Sequence, residues 1–174
     1  MWAMAKRTIK FSLSPESINN ALDQLEVYKE QFEAKKHMMM EAIVARGVQI
    51  VKEELEALVY SQEGQEYRTN ALLESIRGEY DPQTNTGRIW TDNYYAPFVE
   101  FGTGIIGANQ SHPEWDRYGW SYDVNGHGIM GWMYLNDRTG KLQHTLGYRS
   151  RPFMYNSRKR LESEIPKIVK EVFG

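Results

Sequence analysis

Apolar and polar residues alternate with period two through Thr8, Ile9, Lys10, Phe11, Ser12 and Leu13, which predicts a half-buried strand near the start of the chain. Ser14, Pro15 and Glu16 then supply a helix start: a hydroxyl cap, a proline at the first helical position and a carboxylate where the helix dipole favours it. From there to about Val59 there is no further proline and a single glycine, Gly47, while Ala, Leu, Glu, Lys and Met dominate. Ile18, Ala21, Leu22, Leu25 and Tyr28 or Lys29 trace one helical face; Val44, Val48, Val51, Leu55 and Leu58 trace another. Two helices, or one long helix broken near residues 34–38, are expected, with the second segment supplying the main core helix.

Helical spacing returns briefly over residues 69–76, before Gly78 and the Asp81-Pro82 pair mark turns. Residues 86–91 read as a strand led in by a turn. Residues 94–101 read as a short helical turn or a second strand, with Pro97 arguing against a central strand. Residues 102–131 show no periodicity, and so long a connection predicts an interaction loop, placed at 103–130. A strand is expected over 131–135 and an amphipathic helix over about 155–172, interrupted near Pro166. No repeat or low-complexity segment is present, and a chain of 174 residues suits a single domain, 1–174.

Composition changes this picture little. Apolar residues make up 41% and charged residues 25%, which favours neither disorder nor a fibrous architecture. The absence of cysteine excludes disulfides and cysteine-ligated metal centres and suits a reducing compartment. Neither a signal peptide nor a run of the roughly 18 apolar residues that a membrane span needs is present. Net charge is −2, so the whole surface is not built to grip nucleic acid. Its distribution is uneven: residues 138–161 carry seven Lys or Arg and no Asp or Glu, whereas Glu53, Glu54, Glu56, Glu63 and Glu66 cluster upstream. The basic run reads as a solvated face, an intersubunit contact or a phosphate-facing surface.

Three constellations suggest chemistry, and each has a plainer reading. Gly102, Gly104 and Gly107 match the G-x-G-x-x-G dinucleotide pattern with Asp123 downstream, but the strand-before, helix-after setting that this chemistry needs is not legible. Gly102 and Gly104 are better explained by a turn requiring positive φ or close backbone approach. His112, His127, His144, Asp116 and Asp123 lack the i, i+4 spacing of a helix-borne metal site. Met38, Met39 and Met40 point to different sides of a helix and form no single patch. No nucleophile elbow, cysteine nucleophile or spaced carboxylate pair marks an enzyme, and no cofactor is expected. The aromatic residues of the long loop (Trp115, Tyr118, Trp120, Tyr122) stand beside a lone Arg117, which favours packing over base stacking.

Three segments recur together in one family. Thr69, Leu72, Ser75 and Ile76 form the first, with Asn70 where a glycine is usual. Tyr95, Ala96, Val99, Glu100, Phe101, Gly102 and Thr103 form the second, and Arg151, Pro152 and Phe153 the third. In order and spacing, over roughly residues 42–161, they resemble the gene-product-ten-like tail-component family of long-tailed bacteriophages. The resemblance implies an α+β fold: a long helix packed on a small antiparallel sheet, a C-terminal helix and a long irregular loop, with Phe153 buried against the sheet. It implies a non-enzymatic virion protein, a tail-completion or head-tail joining component at the neck, assembled in the host cytoplasm. The implied partners are other copies in a sixfold ring, a hexamer in the virion, together with a tail terminator, tail-tube or head-closure proteins, and double-stranded DNA in the bore. A tail terminator or other neck component, and a sequence-independent DNA-binding module, are the alternatives. Ring closure calls for unlike patches in contact, for which Glu53, Glu54 and Glu56 against Arg158, Lys159 and Arg160, with Arg149 and Arg151 nearby, are the candidates.

Overall fold

A computed structural model describes residues 8–61, 70–123, 125–136 and 139–174. Thr69, Glu63, Glu66 and Arg138 lie outside the described residues. The fold is α+β: a long helix, two small antiparallel two-stranded sheets and a C-terminal helix. The elements are α1 (Pro15–Leu55), α2 (Ala71–Glu74), β1 (Arg77–Asp81), β2 (Thr86–Trp90), α3 (Ala96–Phe101), α4 (Gly104–Asn109), β3 (Trp132–Asn136), β4 (Lys141–Thr145) and α5 (Phe153–Phe173).

The start of α1 follows its sequence signals: Ser17 N donates to Ser14 Oγ at 3.3 Å and Ile18 N to Ser14 O at 3.0 Å. The helix then runs unbroken for 41 residues, with no interruption at 34–38, and continues into a wide turn at Glu56–Tyr60. The uninterrupted run of strong helix formers explains this, since nothing between residues 34 and 38 removes a hydrogen bond. Pro166 likewise lies inside a continuous α5. Pro166 and Glu162 are both exposed, on the side of the helix where a missing backbone donor is tolerated best. The predicted strand over residues 8–13 does not form; those residues are irregular, with Phe11 62% and Leu13 90% exposed.

Packing divides the chain into two compact units, each discontinuous in sequence: Met1–Gln49, Arg77–Ile89 and Arg160–Gly174 in one, Ile50–Ile76 and Trp90–Lys159 in the other. In the first, the β1–β2 hairpin lies directly on α1. A Cβ at Gly78 would come within 2.5 Å of Val48 and 2.8 Å of Val44, and one at Gly87 within 2.7 Å of Val44. Gly78, which read as a turn signal, and Gly87 thus allow a hairpin to approach a valine-rich helix face, and β1 was hidden behind Gly78. The turn itself is closed by Asp81, whose carboxylate accepts from Gln83 N at 2.8 Å and Thr84 Oγ1 at 2.6 Å. Gly47 in α1 faces Ile89 and Leu161, and Arg46 makes two bonds to Glu164 of α5 at 2.6 and 2.9 Å.

In the second unit the buried apolar residues are Ile50, Val51, Leu55, Val59, Leu72, Ile76, Ala96, Val99 and Phe153. Leu72, Ile76, Ala96, Val99 and Phe153 come from the three segments singled out in the sequence, so those segments supply much of this core. Phe153 is fully buried and begins α5, two residues earlier than its periodicity suggests. β3 pairs with β4 in register from Trp132↔Thr145 to Asn136↔Lys141. The expected loop at 103–130 is only partly irregular, because α4 and a single 3-10 turn, Gly128–Met130, lie within it.

Candidate functional site

The second and third of those segments meet at Glu100. Pro97 sits in the first turn of α3, where its missing N–H costs nothing, and this short helix carries Glu100 inward to 7% exposure. Its carboxylate accepts from the first-turn amides of α5, Met154 N at 2.8 Å and Tyr155 N at 3.0 Å, and lies 3.0 Å from His112 Nε2. Glu100 therefore caps a 21-residue helix from 54 positions away, placing a carboxylate where the helix dipole favours it. Burial raises its pKa above the ordinary 4.5, while the two amides and His112 pull it back.

His112 is 2% exposed and both its ring nitrogens are engaged. Nδ1 accepts from Glu114 N at 3.0 Å, which places the proton on Nε2, directed at Glu100. A histidine and a glutamate in one cleft invite a general acid-base reading, yet here each is committed to holding backbone.

Backbone bonds complete the junction. Thr103 N donates to Tyr148 O at 2.9 Å and Tyr148 N to Thr103 O at 3.1 Å; Arg151 N donates to Val99 O at 2.9 Å, and Ser150 Oγ to Glu100 O at 2.5 Å. Gly102 stands at φ 80, ψ 175, and a Cβ there would lie 2.6–2.8 Å from backbone atoms of residues 148–150. The positive φ expected at Gly102 and Gly104 is present at both, at 80° and 63°. A helix, α4, begins inside the G-x-G-x-x-G pattern, but a helix, α3, rather than a strand precedes it, so the βαβ setting is not formed there.

The first segment joins through Ser75, whose Oγ donates to Leu72 O at 2.8 Å and lies 2.5 Å from Thr91 Oγ1. Around the clasp the loop aromatics pack onto α3: Trp120 stacks on Phe101 with centroids 4.9 Å apart and donates Nε1–H to Gly102 O at 3.1 Å, while Phe98 meets Trp120 edge-on. Beside it opens a largely apolar cleft of about 500 Å³ bordered by Tyr94, Phe101, His112, Tyr118, Tyr155 and Arg158.

The charged candidates are dispersed over different elements. Arg158 contacts Glu114 at 2.8 Å and, with Arg117, lowers the Glu114 pKa, the hydrogen bond from Arg158 being the largest cause. Arg160 lies 3.3 Å from Glu164, whose pKa is lowered chiefly by Arg46. Arg151 lies over the Tyr148 ring at 5.5 Å, and burial pushes the Tyr148 hydroxyl up to about 12. Lys159, Arg149 and Glu56 are exposed; Glu53 and Glu54 are half-buried on α1. The three histidines are far apart in role: His127 stacks on Trp132, and His144 Nε2 lies 2.7 Å from Met130 O. Sequence reasoning did not find the Glu100–His112 pair as a unit; a glutamate inside an otherwise apolar helical turn was the available signal.

Among the described residues no helix is long and apolar enough to cross a membrane. No family model, characterised protein or solved structure matches this chain.

Proposed function

We propose that the chain is a structural virion component of a tailed phage, acting in tail completion or head-tail joining as a ring subunit around the DNA channel. The observation that carries this reading is the clasp: the recurrent segments, matched in order and spacing, supply its buried Glu100, its Gly102 turn and the start of α5 that Glu100 caps. Residues recurring for that reason preserve a rigid scaffold, which an assembly subunit requires of every copy. The commitment of both His112 nitrogens and both Glu100 oxygens to structural bonds favours a scaffold over a catalyst.

In this reading the subunit assembles in the host cytoplasm and resides at the neck, its partners being its own copies, a tail terminator, tail-tube or head-closure proteins, and the genomic DNA in the bore. A sequence-independent DNA-binding role is disfavoured because Arg158 and Arg160 are paired with carboxylates. Disrupting the gene in its parent phage or prophage and imaging the lysate tests the proposal. DNA-filled heads beside separate tails are expected; intact infectious particles would overturn it.

A further inference from the structure

Among the described residues, two apolar surfaces stay open. In the first unit, α1 covers the β1–β2 hairpin around Val44 and Val48. The earlier part of α1 leaves an apolar stripe open: Ala21 is buried, but Ile18, Leu22, Leu25 and Phe32 recur at helical spacing on one side and remain 37%, 53%, 50% and 41% exposed. The end of α5 meets this stripe, with Phe173 5.6 Å from Phe32. From Ile18 to Phe32 the stripe is about 21 Å long.

The second surface is the β3–β4 hairpin. Cross-strand partners share a face, so the register puts Tyr134 and Gln143 on one side and Met133, His144, Leu135 and Leu142 on the other. The first side is polar, with Tyr134 Oη donating to Gln143 Oε1 at 2.8 Å and Asn136 Nδ2 to the same oxygen at 3.0 Å. The second is apolar and open: Met133, Leu135 and Leu142 are 55%, 57% and 67% exposed. A two-stranded hairpin is marginal alone and gains stability from a helix laid on its apolar face. Contiguous apolar surface of this kind marks an interaction site.

We propose that the first half of α1 in one copy covers the apolar face of the β3–β4 hairpin in the next copy, repeating between chains the helix-on-hairpin layer of β1–β2. Charge favours this pairing over like-with-like association. Residues 15–31 carry Glu16, Asp23, Glu26 and Glu30 against Lys29 alone, whereas residues 139–151 carry Lys141, Arg149 and Arg151 and no acid. Because the two patches differ, each copy offers one and receives on the other, which is the heterologous contact that closes into rings. The choice of a second copy as occupant rests on the assembly role proposed above.

The chain contains no cysteine, so single thiols at the exposed positions report this contact directly. Leu22→Cys and Leu135→Cys proteins, mixed at high concentration with a short bis-maleimide, are expected to give a heterodimer in excess of either homodimer. The double variant is expected to give a ladder of multimers. A mixture without heterodimer, or a double variant linked only within its own chain, would overturn the contact. Those failures leave the virion proposal intact, because that is read from heads and tails in the lysate; intact particles together with a strong heterodimer would sink the virion role and keep the contact.

Discussion

Replacing Gly102 with alanine tests the clasp where it is least forgiving. At φ 80, ψ 175 the residue occupies backbone space nearly reserved for glycine, and a side chain there costs about 1–3 kcal/mol. The new Cβ also meets Ser150 N at 2.6 Å, Tyr148 O at 2.7 Å and Arg149 C at 2.8 Å. Those atoms are backbone, so relief requires moving the strand-like segment that Thr103 and Tyr148 bond reciprocally at 2.9 and 3.1 Å. Loosening these two bonds adds about 1 kcal/mol each. The total is about 3–5 kcal/mol, and at 2–4 °C per kcal/mol for a chain of this size the melting temperature falls by about 6–20 °C. Gly119→Ala is the control: its φ is 61°, but nothing lies within 4 Å of its Cβ, so only the left-handed penalty of about 1–2 kcal/mol applies. Thermal melts of the three proteins, followed by near-ultraviolet dichroism, decide the matter. Equal losses for the two variants, or a wild-type melt for Gly102→Ala, would refute the steric account.

Other perturbations probe the remaining layers. Glu100→Ala strips the acceptor from Met154 N, Tyr155 N and His112 Nε2 and is expected to lower stability by about 3 kcal/mol in denaturant unfolding. Glu100→Gln gives a signed pH test. Because burial raises the folded pKa of Glu100 above 4.5, the wild type draws stability from this group in acid and loses it as pH rises through the raised value. The melting temperature of wild type minus Gln should therefore decline from pH 4 toward neutrality, and a difference that grows instead would mean the helix amides outweigh burial. Gly78→Ala should cost about 1–3 kcal/mol by overpacking, since Val44 and Val48 have little rotamer freedom in a helix; a gain in stability would show that the hairpin can lift.

How much of this was readable depended on how local its cause was. α1 follows from composition and spacing over one continuous stretch, and its start from Ser14 and Pro15. The strand expected at residues 8–13 failed because period-two alternation specifies two faces but not a neighbour to pair with. β1 was missed because Gly78 served close packing against Val44 and Val48, while glycine in isolation signals a turn. The positive φ of Gly102 could be anticipated from its place after an apolar turn. The capping of α5 could not, since Glu100 finds Met154, 54 positions on, only when the chain has folded back, and no local pattern encodes that meeting.

The reciprocal bonds between Thr103 and Tyr148 pin both ends of the 44-residue excursion they enclose. Entropy of closure grows only as the logarithm of loop length, about 0.6 kcal/mol for each doubling. Chain inserted at the exposed end of the β3–β4 hairpin therefore strains neither the helix cap nor the His112 and Trp120 contacts that the same excursion brings to Glu100 and Phe101. A protein built in this way can lengthen, shorten or redecorate that hairpin while the clasp stays constant, and so can change whom it meets without relearning how to fold.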